Sequence, residues 1–219
     1  MTSRCSDPID GVERGQDLCA MFSSMQNRDW IEFYSLTRDN PHWPLLEKAA
    51  SLLGQTGYAL DLGCGAGRDT RYLLSLGWHV TAVDSHPNAI ASLAALSQER
   101  LQAIQSSFED VPYGNEKYDL ISSQFSLPFL PPKHFSGVVS RIKQALKPGG
   151  IFTGQFFGIH DEWNTIENTM TFLTREQVDE QLNGLQVREL TEAERDGHTA
   201  NRTPKHWHVF DIIAQKATR

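Results

Sequence analysis

Two aspartates that bracket a glycine-rich turn are the residues with the clearest chemical purpose in this chain. Apolar residues from Tyr58 lead into Asp61, glycines follow at Gly63, Gly65 and Gly67 with Cys64 among them, and a second apolar run, Val80-Thr-Ala-Val, ends at Asp84. Glycine lets backbone approach a ligand closely, and an acid at a strand end accepts hydrogen bonds from ribose hydroxyls. The pattern reads as a site for a nucleoside-containing cofactor. A dinucleotide is the first rival, but its fingerprint wants a third glycine where Arg68 stands, and its pyrophosphate would meet like charge at Asp61. A cationic cofactor without phosphate suits the acids better. S-adenosylmethionine carries an ammonium and a sulfonium, so Asp61 would attract its methionine end while Asp84 holds the ribose.

Such a turn needs a strand before it and a helix after it, and the surrounding sequence supplies both repeatedly. Apolar runs predict strands near 58 to 62, 78 to 84, 101 to 106, 117 to 123 and 150 to 157, alternating with helices near 67 to 76, 87 to 97 and 133 to 146. Phe135, Val138, Val139, Ile142 and Leu146 keep helical spacing until Lys147-Pro148-Gly149-Gly150 stops them. Upstream, Pro41 and Pro44 open a helix that ends near Gly54, and apolar points from Leu18 to Tyr34 suggest a helix over about 16 to 34. After Thr174 a short helix precedes runs near 185 to 191 and 206 to 214, expected to pair antiparallel. The alternation predicts an α/β fold, a mainly parallel sheet with helices on both faces.

The segment Asp61-Leu-Gly-Cys-Gly-Ala-Gly67 with Asp84 resembles the class I S-adenosylmethionine-dependent methyltransferases, over a span from about Leu45 to the C-terminus. Within them, Gly65-Ala-Gly-Arg-Asp-Thr-Arg-Tyr-Leu-Leu74 and Gly77-Trp-His-Val-Thr-Ala-Val-Asp84 are most similar to the small bacterial enzymes of the tellurite-resistance type. The resemblance implies a Rossmann-like seven-stranded sheet of order 3-2-1-4-5-7-6 with the last strand antiparallel. It also implies an N-terminal extension with a cofactor-covering helix in 1–40 and the methyltransferase domain in 41–219. Gly63, Cys64, Gly65 and Gly67 would pass beneath the methionine and ribose, with Ser85 beside the adenosine. Ser107 and Phe108 stand where relatives place an acid for the adenine, so that acid is missing. Gln124, after the fourth strand, would border cofactor and acceptor, and Tyr34 would face the sulfonium from the covering helix.

Acceptor chemistry is expected from the end of the fifth strand and the start of the last, including the loop 192 to 206. Phe157, His160, Asp161 and Trp163 come from the former and Thr203-Pro-Lys-His-Trp-His208 from the latter. Period-two geometry puts His206 and His208 on one face and Lys205 and Trp207 on the other. Three roles compete for the histidines. His206, His208 and His160 are the candidates for proton removal or acceptor orientation. A metal site from the pair plus His160 or Asp161 has no diagnostic spacing, so no metal is expected. Structural histidines bonded to backbone are the third possibility.

The whole chain bounds the partners. At 219 residues it suits one α/β domain with a short extension. A net charge of −7 argues against a nucleic-acid partner, and no apolar run reaches membrane-spanning length. Cys5, Cys19 and Cys64 are odd in number and point to a reducing, cytoplasmic setting, with a monomer or homodimer both open. The expected activity is methyl transfer to a small-molecule acceptor, whether thiol, chalcogen oxyanion, phenol or amine. A non-catalytic module that binds S-adenosylmethionine or S-adenosylhomocysteine is the alternative, and a nicotinamide oxidoreductase is disfavoured by Arg68 and Asp61.

Overall fold

The computed structural model describes residues 30–165 and 169–218. Its elements run α1 (Trp30–Thr37), α2 (Pro44–Leu53), β1 (Tyr58–Leu62), α3 (Arg68–Ser75), β2 (His79–Asp84), α4 (Pro87–Ser92), β3 (Leu101–Gln105), β4 (Tyr118–Ser123), α5 (Pro132–Ala145), β5 (Leu146–Gly158), β6 (Phe172–Leu173), α6 (Arg175–Leu182), β7 (Leu185–His198) and β8 (Pro204–Lys216). Except for its end at Trp30 to Tyr34, the helix expected from residue 16 lies outside the described residues. The same holds for most of the N-terminal extension.

The strands form one sheet of order β3-β2-β1-β4-β5-β8-β7, with the two-residue β6 added beside β5. With β6 set aside, this is the expected order. Strands β3 to β5 are parallel along that path, and β8 runs antiparallel to both β5 and β7. Because successive strand residues point to opposite faces, each strand feeds two cores. Leu60, Ile121, Phe152, Phe156 and Ile212 pack with Phe135, Val138, Val139 and Ile142 of α5 on one side. Ala59, Leu120, Ile151 and Ile213 pack with Leu46 of α2, Leu73 of α3 and Leu93 on the other. Burial on both faces explains why the central strands read as near-continuous apolar runs.

Three boundaries differ from the sequence expectation. Helix α4 stops at Ser92 rather than near 97. Lys147 to Gly150, expected only to stop a helix, opens β5 itself, with an irregularity between Tyr118 and Leu120 that accommodates the change of register. The anticipated loop 192 to 206 is mostly hairpin. There Glu194 pairs with His208, Asp196 with His206 and His198 with Pro204. Cross-strand pairing of acids with imidazoles supports the ladder beyond the apolar residues, so hydropathy alone ended the strands too early.

Candidate functional site

The turn after β1 has the form its glycines predict. The N–H groups of Gly63 and Cys64 both donate to the Val83 carbonyl, at 2.8 and 3.0 Å. Gly63, Gly65 and Gly67 have φ of 73°, 52° and 83°, a region costly for residues with a Cβ. Their roles differ. A Cβ on Gly63 would lie 2.4 Å from Ser126 Cβ, and one on Gly67 would lie 2.2 Å from Leu93 Cδ2. Gly67 thus permits packing of the turn on Leu93 at the end of α4, while Gly63, Cys64 and Gly65 face a cavity of about 910 Å³.

Asp84 closes the turn from β2. Its Oδ2 accepts from the Gly65 N–H at 2.9 Å, and its Oδ1 accepts from the His86 N–H at 2.9 Å and the Tyr34 hydroxyl at 3.3 Å. Burial, with the Asp84 charge next, holds the Tyr34 hydroxyl well above the ordinary phenol range. Ser85 and Phe108 also line this part of the cavity, and so does Cys64, whose thiol is pushed up by burial. Ser107 is absent from the lining among the described residues. Its hydroxyl donates to Asp110 Oδ2 at 2.8 Å.

Asp61 sits beneath the turn rather than on the cavity wall. It is 2% exposed, and Thr70 Oγ1 donates to its Oδ2 at 2.6 Å. Burial, reinforced by the nearby Asp69 charge, pushes the Asp61 carboxyl up to about 7. The acid that reaches the cavity here is Asp69, which accepts from the Trp43 N–H at 3.0 Å. Gln124 does line the cavity, but its amide is engaged internally, donating to Ser122 Oγ and accepting from Gln155 Nε2, each at 3.1 Å.

The opposite wall is aromatic. Trp207 lies 5.9 Å from Phe157, 6.0 Å from Phe125 and 5.5 Å from Trp163, ring centre to ring centre. Phe129 and Trp43 complete it, and Arg195, Gly197 and His198 of β7 edge it. Beside these rings is a buried ion pair. Lys205 Nζ is 2.5 Å from both carboxylate oxygens of Asp161, and its charge sits 3.7 Å from the Trp207 ring centre and 4.4 Å from that of Trp163. Asp161 also accepts from the backbone N–H groups of Trp163 and His208, at 3.0 and 3.3 Å.

The period-two division of β8 is as expected, but the cavity is on the other face. Trp207 faces the cavity, whereas none of His160, His206 and His208 lines it among the described residues. His206 pairs with Asp196 at 2.8 Å, which raises its pKa, and His160 pairs with Glu194 at 2.8 Å. His208 is packed so closely that a Cβ on Gly158 would lie 2.1 Å from its Nδ1. Donor atoms of His160, Glu194 and His208 lie within 4.8 Å of one another, the spacing of a metal site. However, His208 Nδ1 accepts from the His160 N–H at 3.2 Å, which leaves the ring proton on Nε2, 3.0 Å from Glu192. That tautomer donates a hydrogen bond where a metal ligand needs a lone pair.

Residues 59–150 match the family described as a methyltransferase domain. Over that segment the chain is similar to S-adenosylmethionine-dependent methyltransferases. It is 35% identical over 107 residues to an uncharacterized methyltransferase of Synechocystis sp., covering 49% of each chain. It is 34% identical over 93 residues to TehB of Haemophilus influenzae, a probable S-adenosyl-L-methionine-dependent methyltransferase, covering 42% of this chain and 32% of TehB. The crystal structure of TehB superposes with a TM-score of 0.67 at 19% identity, over 89% of this chain and 66% of that one. Burkholderia thailandensis 1,6-didemethyltoxoflavin-N1-methyltransferase, with 1,6-didemethyltoxoflavin and S-adenosylhomocysteine bound, superposes with a TM-score of 0.65 at 21% identity, over 97% and 93%. At these identities the two structures attest the fold. The match to the Synechocystis protein spans about half of its length, and that to TehB about a third.

The sequence reading missed Asp69, Trp43, Arg195 and His198 among the residues that line the cavity. Asp69 was hidden in a helical run, and Trp43 in a proline-rich approach to α2. Arg195 and His198 fall in the segment expected to be a loop, where no periodicity assigns a face. Their only signal was that segment's predicted place at the ligand edge.

Proposed function

We propose that this protein transfers a methyl group from S-adenosylmethionine to a small-molecule acceptor by in-line displacement. One observation carries the reading: the glycine turn with Asp84 and the aromatic wall with Arg195 and His198 are parts of a single cavity. A volume of about 910 Å³ is at the upper end of the ~300–1,000 Å³ usual for ligand pockets. It has room for a donor and an acceptor side by side.

The residues suit the cofactor. Positive-φ glycines without side chains leave space above the turn, and Asp84 offers two carboxylate oxygens for ribose hydroxyls. When bound, S-adenosylmethionine supplies an electrophilic methyl on a sulfonium whose charge disappears on transfer. Gly63 and Gly65 would underlie the methionine and ribose, with Ser85 and Phe108 beside the adenosine. Asp61 would act through the turn, and Asp69 would meet the ammonium directly. Tyr34 covers the site from α1 and excludes water, which favours loss of charge. Holding donor and acceptor in line contributes about 7–11 kcal/mol of barrier reduction in well-oriented systems. An anionic acceptor needs no base. For a phenol or amine, His198 is the candidate base beside the aromatic wall, since His86, which also lines the cavity, lies at the Asp84 end, and His160, His206 and His208 serve the hairpin instead.

The test is calorimetry with S-adenosylmethionine, followed by assay of S-adenosylhomocysteine formation with thiols, phenols, amines and chalcogen oxyanions. Saturable cofactor binding with turnover on one acceptor class is the expected result. Binding without turnover on any class would favour a non-catalytic module, consistent with Ser107 being spent on Asp110.

A further inference from the structure

We infer that the acceptor is a planar aromatic or heteroaromatic ring bearing an anionic group, stacked against Trp207 and read by Arg195. The inference rests on the methyltransferase reading above and narrows its acceptor.

Shape comes first. Phe125, Phe129, Phe157, Trp163 and Trp207 all line one side of the cavity and touch one another. Rings in mutual contact hold their orientations better than aliphatic side chains, and they favour a flat partner in offset or edge contact. The wall is also braced. Lys205, 3% exposed and absent from the cavity lining among the described residues, places its ammonium against the rings of Trp207, Trp163 and Phe157. The Asp161 carboxylate holds that ammonium in place. The buried ammonium–carboxylate pair thereby fixes the positions of the rings it touches.

Charge comes second. Arg195 is the direct cross-strand partner of Trp207, lines the same cavity and makes no ion pair among the described residues. A guanidinium beside a ring wall matches a carboxylate or similar planar anion on a stacked ring, because its fork donates two parallel hydrogen bonds. In the transfer, a lone pair on a heteroatom substituent of the acceptor bonds to the methyl carbon. The carbon–sulfur bond breaks, and its electrons stay on sulfur as a neutral thioether. An acceptor that begins as X–H releases its proton to His198 or to water, and a thiolate releases none.

Three thiols separate the features: 4-mercaptobenzoate has ring and anion, thiophenol has the ring alone, and 3-mercaptopropionate has the anion alone. With the full chain and S-adenosylmethionine, kcat/KM for 4-mercaptobenzoate should exceed that for each of the others at least about tenfold. Arg195→Gln should bring 4-mercaptobenzoate down to the thiophenol level. Trp207→Leu should bring it toward 3-mercaptopropionate, and Trp207→Phe should restore most of the difference. Calorimetry with the cofactor on every variant verifies that each is folded and loaded. If the cofactor binds and the aliphatic acid is turned over as well as the aromatic one, or Arg195→Gln leaves the ratios unchanged, the acceptor proposal is overturned while the methyltransferase reading stands. If the intact protein binds no cofactor, both fall.

Discussion

The Tyr34 hydroxyl donates to Asp84 Oδ1 across 3.3 Å, joining α1 to the end of β2 directly above the glycine turn. The same ring lies 3.5 Å from the position a Cβ on Gly65 would take and 5.6 Å from the His86 ring. Tyr34 therefore covers the turn chiefly with its ring. Tyr34→Phe should change cofactor affinity less than about threefold, since one hydroxyl is exchanged for water or a ribose hydroxyl. Tyr34→Ala, which strips the cover, should weaken it about tenfold or more. Calorimetric titration of both variants checks the difference.

Gly67 tests the packing of the turn. Alanine there meets Leu93 at 2.2 Å and must also adopt a φ of 83°. Gly67→Ala should lose about 2 kcal/mol or more of stability. Adding Leu93→Ala should relieve the clash but not the backbone strain, so the double variant should lose less than the sum of the two single changes. Urea unfolding of the four proteins measures this.

Stability should fall as pH rises through the weakly acidic range. The Asp61 carboxyl is held up to about 7 by burial and by Asp69, above the value of about 4 it has in an unfolded chain. Between those values the folded protein keeps a proton that the unfolded chain has released, so the unfolded state binds fewer protons and stability declines with pH. At about 1.4 kcal/mol per pH unit for one proton, the loss from pH 5 to pH 7 is about 2 kcal/mol. Asp61→Asn should flatten that slope, as read from urea midpoints at pH 5, 6 and 7.

The Lys205–Asp161 pair is both buried and hydrogen-bonded, so its halves are not separable. Lys205→Met or Asp161→Asn alone should cost about 3–5 kcal/mol, because the remaining group loses its partner in a dry setting. The combined Lys205→Met/Asp161→Asn change should cost less than the sum of the singles. Some loss should remain from the backbone N–H groups of Trp163 and His208 that Asp161 accepts. Thermal denaturation of the three variants provides the comparison.

What could be read from sequence divides along a physical line. Asp61, the glycines and Asp84 were legible because their spacing is local: a strand, a turn and the next strand bring them together in any right-handed crossover. The sheet order followed from the family likeness, and the face division of His206 and His208 from Lys205 and Trp207 followed from strand periodicity. Which of those faces meets the cavity did not follow. It depends on β8 lying beside β5, where Asp161 can capture Lys205 from 44 residues away. The placement of Asp61 below the turn was hidden for a similar reason, since Thr70 reaches it only after α3 has packed. His198 was overlooked because the hairpin outlasts its apolar residues, carried by acid–imidazole pairs that hydropathy scores as loop.

The central claim is that the bend between Asp61 and Asp84 holds a cationic nucleoside donor. Calorimetric titration of the full chain with S-adenosylmethionine, alongside Asp84→Ala, tests it most directly. One-site binding is predicted, weakened about 30-fold or more by the substitution, as expected for the loss of charge-assisted bonds to a ribose diol. No heat with S-adenosylmethionine, or saturable binding of a nicotinamide dinucleotide in its place, would contradict the account.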